Sequence, residues 1–216
     1  MQKYYFRQCT LTRLDDTFGL RQVFSNATLE HWLAIELALS TYEKDALQHL
    51  RRLLTINAPG WNEQELALHF IGPLLSVVQF TEPYRFNLFA ERQISAIISG
   101  LESEIELSGS PDGMIATGYR EPRIPLFAFT KYKRQIDPEG DPAGQTLAAM
   151  LVAQALNGDH APIYGAYVIG SDWRFMILEG KQYTISRDYS ALSDEIFDIL
   201  RILKALKGII LERTAT

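Results

Sequence analysis

The chain has 216 residues, 47% of them apolar and 22% charged, with a formal net charge of −5. That length suits one domain, or a domain with an appended lobe, and it buries enough core to need no disulfide or structural metal. The charged fraction and an aromatic content of 11% argue against disorder. There is no charged-then-apolar leader and no apolar run of membrane-spanning length, and Cys9 is the sole cysteine. The expectation is a soluble, cytoplasmic protein in a reducing interior, with no membrane partner. A balance of −5 excludes coating of nucleic acid by bulk charge but leaves a local basic site open.

In chain order, residues 1–60 read as a helical lobe. Leu29, Trp32, Leu33, Ile35, Leu37 and Leu39 fill one segment, Leu47, Leu50, Leu53 and Leu54 the next, and Pro59-Gly60 breaks the chain. Residues 61–216 read as an α/β domain. Its first helix opens near Trp61, with Asn62 and Glu65 spaced as a capping box and Leu66, Phe70, Leu74 and Leu75 as the buried stripe; Pro73 should kink or shorten it. Strand patterns follow at Ile94–Ile98, Ile105–Leu107 and Met114–Ala116. The apolar run from Ile124 to Lys133 suggests a central strand buried on both faces. Asp141, Pro142 and Gly158 punctuate a helix apolar nearly all round. A three-strand meander (Ile163–Ile169, Trp173–Leu178, Gln182–Ile185) precedes a last helix starting around Ser193, with Lys204 and Lys207 in its final turn.

The chemistry gathers between Asp112 and Lys133. Asp112 lies beside Gly113, where a sharp turn can present a carboxylate. Lys131 and Lys133, two apart on a strand, share a face that also carries Phe127 and Phe129. Two lysines at that spacing repel unless an anion lies between them, and Asp112, Glu63 or a phosphate could supply it. Arg120, Arg123, Lys131, Lys133 and Arg134 crowd a short span holding one acid, Glu121, which makes a candidate phosphate contact.

These residues resemble the PD-(D/E)XK nuclease superfamily. Ser110-Pro111-Asp112-Gly113 looks like its first motif, Lys131-Tyr132-Lys133 stands at its (D/E)-x-K motif, and Asn62-Glu63-Gln64-Glu65 and Gln145 sit on the flanking helices. The strand pair from Tyr164-Gly165 to Phe175 extends the similarity, which spans roughly 61–210. The resemblance implies a restriction-endonuclease-like core: a central mixed β-sheet flanked by helices. It also implies Mg2+-dependent phosphodiester hydrolysis, with Asp112 and Glu63 as metal ligands and Lys133 as the catalytic lysine. Gln145, Lys131, Arg134, Arg120 and Arg123 would contact nucleic acid, with DNA ahead of RNA. A homodimer is admitted, for which the apolar meander offers a surface.

One position departs from the pattern. Lys131 stands where the family has an acid, and a cation there repels magnesium. Of the nearby acids, Asp137 and Glu139 fall in a loop and Asp141 reads as a cap. Either Glu63 takes the missing role, or the chain is a catalytically inactive nuclease-fold protein serving nucleic-acid binding or protein association. A third reading, an unrelated α/β binding module, would set Asp112 and Lys133 far apart.

Bland readings stand beside these: a turn for Asp112, the capping box for Glu65, a dipole-friendly surface acid for Glu63 and a polar first-turn residue for Gln145. Trp173 and Phe175 read as core. The four histidines lack metal-ligand spacing, Ser110 has no nucleophile elbow, and no glycine-rich phosphate loop occurs.

Overall fold

A computed structural model describes residues 2–136 and 140–215, so Asp137 and Glu139 lie outside the described residues. In chain order the elements are β1 (Gln2–Tyr5), α1 (Leu11–Phe18), β2 (Arg21–Gln22), α2 (Ala27–Leu33) and α3 (Thr41–Asn57). Then come α4 (Glu63–Leu66), α5 (Gly72–Val78), β3 (Asn87–Ala90), β4 (Ile94–Ser99), β5 (Glu104–Gly109), β6 (Gly113–Thr117) and β7 (Arg123–Lys133). The chain closes with α6 (Pro142–Asn157), β8 (Ile163–Ile169), β9 (Asp172–Glu179), β10 (Gln182–Ile185), β11 (Tyr189–Ser190) and α7 (Glu195–Arg213).

The main sheet runs β2-β10-β9-β8-β7-β6-β3, with β11 beside β9. It is mixed: β7–β8 and β2–β10 are parallel, whereas β6–β7, β8–β9 and β9–β10 are antiparallel. A second sheet has the order β1-β5-β4. Between the two sheets lies α6, packed on β7 and β8 from one side and on β4 and β5 from the other. This placement explains its composition, because a helix covered all round must be apolar all round. Every residue from Pro142 to Ala153 is buried. Asp141 caps it by accepting from Gly144 N at 2.9 Å, and Gly158 ends it in the left-handed region. The opposite face of the main sheet is covered by α2, α3, α5 and α7, whose apolar residues join Phe127, Ala128, Tyr132, Trp173 and Phe175 in one cluster.

The expected mixed α/β architecture is present, with four differences of detail. Residues 2–60 are not helical throughout. They supply β1, which pairs in parallel with β5, and β2, which pairs with β10, and their apolar side chains enter both clusters of the core. Pro73, expected to kink or shorten its helix, is accommodated by a local widening. The Gly72 N–H reaches back to the Ala67 carbonyl across a π turn (Ala67–Ile71), which makes room for the missing proline N–H and lets the helix continue to Val78. The last helix starts at Glu195 and runs to Arg213, so Lys204 and Lys207 lie inside it; Lys204 pairs with Glu43 of α3 rather than with the helix end.

The fourth difference concerns β7. Ile115 pairs with Ala128 but Ala116 with Leu126, so Phe127 is a bulge. The extra residue reverses the alternation, and Phe127 joins the helix-side cluster while Phe129 faces α6. Lys131 and Lys133 therefore share a face with Phe129 but not with Phe127.

A candidate site at the end of the central strand

The hairpin register brings the first motif to the second. Gly113 pairs with Thr130, so Asp112, one residue before β6, comes level with Lys131, one residue further along β7. Lys131 Nζ donates to Asp112 Oδ1 at 2.5 Å, and the Tyr132 backbone N–H donates to Asp112 Oδ2 at 2.7 Å. Two residues on from Lys131, Lys133 is buried and its Nζ donates to Glu63 Oε1 at 3.0 Å. Glu63 is held in place because the capping box of Asn62 and Glu65 starts α4 there: Asn62 Oδ1 accepts from Glu65 N, and Glu65 accepts from Asn62 N. Glu65 thus has the structural role expected of it. Asp112, Lys131, Lys133 and Glu63 form two ion pairs around one strand end, and the Asp112 carboxylate reaches the backbone beside Lys133.

Side-chain exposure is 18% for Lys131 and 20% for Asp112, against 42% for Glu63. The first pair is sheltered enough for its charges to be felt strongly, while the second opens to solvent. A cleft of about 600 Å³ beside these residues is lined by Glu63, Glu91, Asp112, Gly113 and Tyr132. Tyr132 is buried at its base, and burial pushes its phenol well above the ordinary range. Its hydroxyl accepts from Thr130 Oγ1 at 3.0 Å.

Among the described residues no three His, Cys, Asp or Glu side chains come together as a metal-binding group. Asp112 has both oxygens engaged by N–H donors, one of them an ammonium, and Glu63 is engaged by another. Arranged in this way, the donors do not make a two-acid magnesium centre.

The remaining candidates do not all converge here. Gln145 is buried in the first turn of α6, where its Nε2 lies close enough to Gly140 to fill the space a Cβ would take. Arg134 directly follows β7, at the same end as Lys133, and is engaged in an interaction of its own. Arg120 and Arg123 lie at the opposite end of β7, about 25 Å from Lys131 at the rise of an extended strand. The basic group that is dense in sequence is therefore divided in space. At that far end the two arginines line a second cleft with Tyr84, Arg85, Tyr119 and Arg213. Tyr84, Arg85 and Arg213 come from segments distant in sequence, so nothing in the local pattern ties them to Arg120.

Elsewhere, Cys9 is buried and its thiol is pushed up to about 11 by that burial, as befits a small core residue rather than a nucleophile. The apolar residues of the β8–β10 meander lie in the two interior clusters, so that surface is not available to a second copy. Among the described residues no helix is long and apolar enough to cross a membrane. Compared with known protein families and with curated proteins, the chain matches none.

Proposed function

We propose that this chain is a PD-(D/E)XK nuclease-like protein that holds nucleic-acid phosphodiesters at the end of β7 without hydrolysing them. The observation that carries this reading is the Lys131–Asp112 ion pair at 2.5 Å. In the pattern the sequence resembles, an acid at position 131 and Asp112 would share a divalent cation. Here the ammonium of Lys131 takes the cation's place. A tethered ammonium offers charge and N–H donors to a phosphate, but it does not generate a metal-bound hydroxide. Lys133 adds a second ammonium at the same end, with Glu63 open to solvent and free to swing away when an anion arrives.

Magnesium-dependent hydrolysis is a second reading, favoured by one observation: Asp112 accepts from the Tyr132 N–H and Glu63 pairs with the adjacent Lys133, so all three lie at this strand end. One set of assays separates the two. Binding of labelled single-stranded and duplex DNA and RNA is measured in EDTA, and cleavage is measured in magnesium and in manganese. The wild type, Asp112→Ala, Lys133→Ala and Lys131→Glu are compared. The expected result is binding without cleavage in the wild type. Lys131→Glu should acquire a magnesium-dependent rise in thermal midpoint that the wild type lacks, because the substitution restores a second carboxylate. Cleavage by the wild type that disappears in Asp112→Ala would establish the hydrolytic reading instead. Absence of both binding and cleavage for every nucleic-acid form would reject both.

A further inference from the structure

The cleft at the far end of β7 has its own chemistry. About 690 Å³ in volume, it is lined by four arginines, Arg85, Arg120, Arg123 and Arg213, and by Tyr84 and Tyr119, with Glu121 as its one acid among the described residues. Glu121 is already paired with Arg92 at 3.3 Å. Two of the arginines are anchored. Arg85 donates to the Leu211 carbonyl at 2.5 Å; Arg213 donates to the Pro162 carbonyl at 2.9 Å, lies over Phe127 at 5.2 Å and pairs with Asp159 at 3.9 Å. The side chains of Arg120 and Arg123 have no hydrogen bond or ion pair among the described residues, although the chain as a whole carries an excess of acids. Arg120 and Arg123 thus place two uncompensated guanidinium groups beside the anchored Arg85, and an incoming polyanion relieves their repulsion.

The tyrosines add a second, independent signal. Tyr84 and Tyr119 stack with ring centroids 6.4 Å apart and planes 19° apart, and they are 95% and 71% exposed. Rings this exposed add little burial to the fold. Tyr84 also sits at φ 65°, third in the turn Glu82-Pro83-Tyr84-Arg85, which is closed by the Arg85 N–H to Glu82 carbonyl bond at 3.0 Å. That position suits glycine or asparagine, and a bulky side chain there is strained. A strained backbone that displays an unburied ring beside unpaired arginines points to recognition rather than packing.

We infer that this cleft binds single-stranded nucleic acid, with bases stacked on the Tyr84–Tyr119 platform and phosphates held by Arg120 and Arg123. The inference rests on the nucleic-acid reading above and names a surface and a strandedness for it. Aromatic platforms hold unpaired bases of any sequence, whereas in a duplex the base faces are covered.

The test uses the full chain and fluorescence anisotropy with a fluorescein-labelled 20-mer of thymidylate and a labelled 20-base-pair duplex, each at low and moderate salt. Arg120→Ala/Arg123→Ala should weaken binding of the single strand by about tenfold or more, and Tyr84→Gly/Tyr119→Ala by about fivefold or more. The tyrosine pair should leave duplex affinity unchanged. If Asp112→Ala or Lys133→Ala abolishes binding while the arginine and tyrosine variants bind like wild type, the cleft is rejected and the nucleic-acid reading stands. Equal weakening on single strand and duplex by the arginine variant, with no effect of the tyrosines, rejects the single-strand assignment. A wild type that binds neither probe rejects the inference together with the reading beneath it. Thermal midpoints of the variants, expected within a few degrees of wild type because all four residues are exposed, separate lost binding from lost folding.

Discussion

At Tyr84 the backbone and the side chain make opposite demands. A left-handed φ favours a residue without a Cβ, yet the position carries one of the largest side chains, almost wholly in water. Comparing two truncations isolates the backbone term, since both remove the ring. Tyr84→Gly should be more stable than Tyr84→Ala by about 1 kcal/mol, measured by urea unfolding, because only glycine relieves the left-handed strain. Equal stabilities would mean that the turn relaxes around alanine. Lys131 presents a similar opposition. Its side chain is only 18% exposed, and without the Asp112 carboxylate that shelter would cost its ammonium solvation. Both residues were visible in the sequence as residue types. Lys131 could also be recognised as a departure from a pattern. Tyr84 could not be singled out, because its meaning depends on Tyr119 and Arg213, which only the fold brings near.

β7 and α6 show where periodicity suffices and where it does not. The α6 helix was legible from its cap, its first-position proline and its terminal glycine, since those signals are local. The meander was legible for the same reason. The bulge at Phe127 was not, because an apolar residue reads alike on either face of a doubly covered strand. Nor was the division of the basic residues. Eleven residues of an α-helix span about 16 Å, but in a strand the same length reaches about 35 Å. Neighbours in sequence from Arg120 to Arg134 thus flank the two ends of β7.

The packing of α6 on β8 supports a sharper prediction. A Cβ at Gly165 would stand 2.6 Å from Met150 Sδ and 2.9 Å from Thr146 Cγ2, both on α6. Gly165→Ala should therefore cost about 1–3 kcal/mol in denaturant unfolding. A Cβ at Gly208 on α7 would meet nothing within 4 Å, so Gly208→Ala should stabilise by about 0.5–1 kcal/mol through helix propensity alone.

For the whole molecule, the decisive fact is that the first sixty residues are woven into everything that follows. α1 packs on α6, Leu11 N donates to the Asp141 cap at 2.9 Å, and Trp32 Nε1 donates to the Ile202 carbonyl at 2.9 Å. Expressed alone, residues 61–216 should show no cooperative thermal transition by circular dichroism or calorimetry, whereas the full chain should show one. A sharp transition in the shorter chain would identify the first sixty residues as an appended lobe after all.

The pairing of β2 with β10 also sets a timetable. Arg21 must wait for Gln182, about 160 residues later, and at usual rates of synthesis that delay is roughly 10–30 s. Throughout it Phe6, Leu14, Phe18 and Leu20, all destined for the interior, have no completed surface to cover them. A nascent chain of this kind invites holding factors at the ribosome, and its yield should depend on how fast the distal strands are translated as much as on the stability of the finished fold.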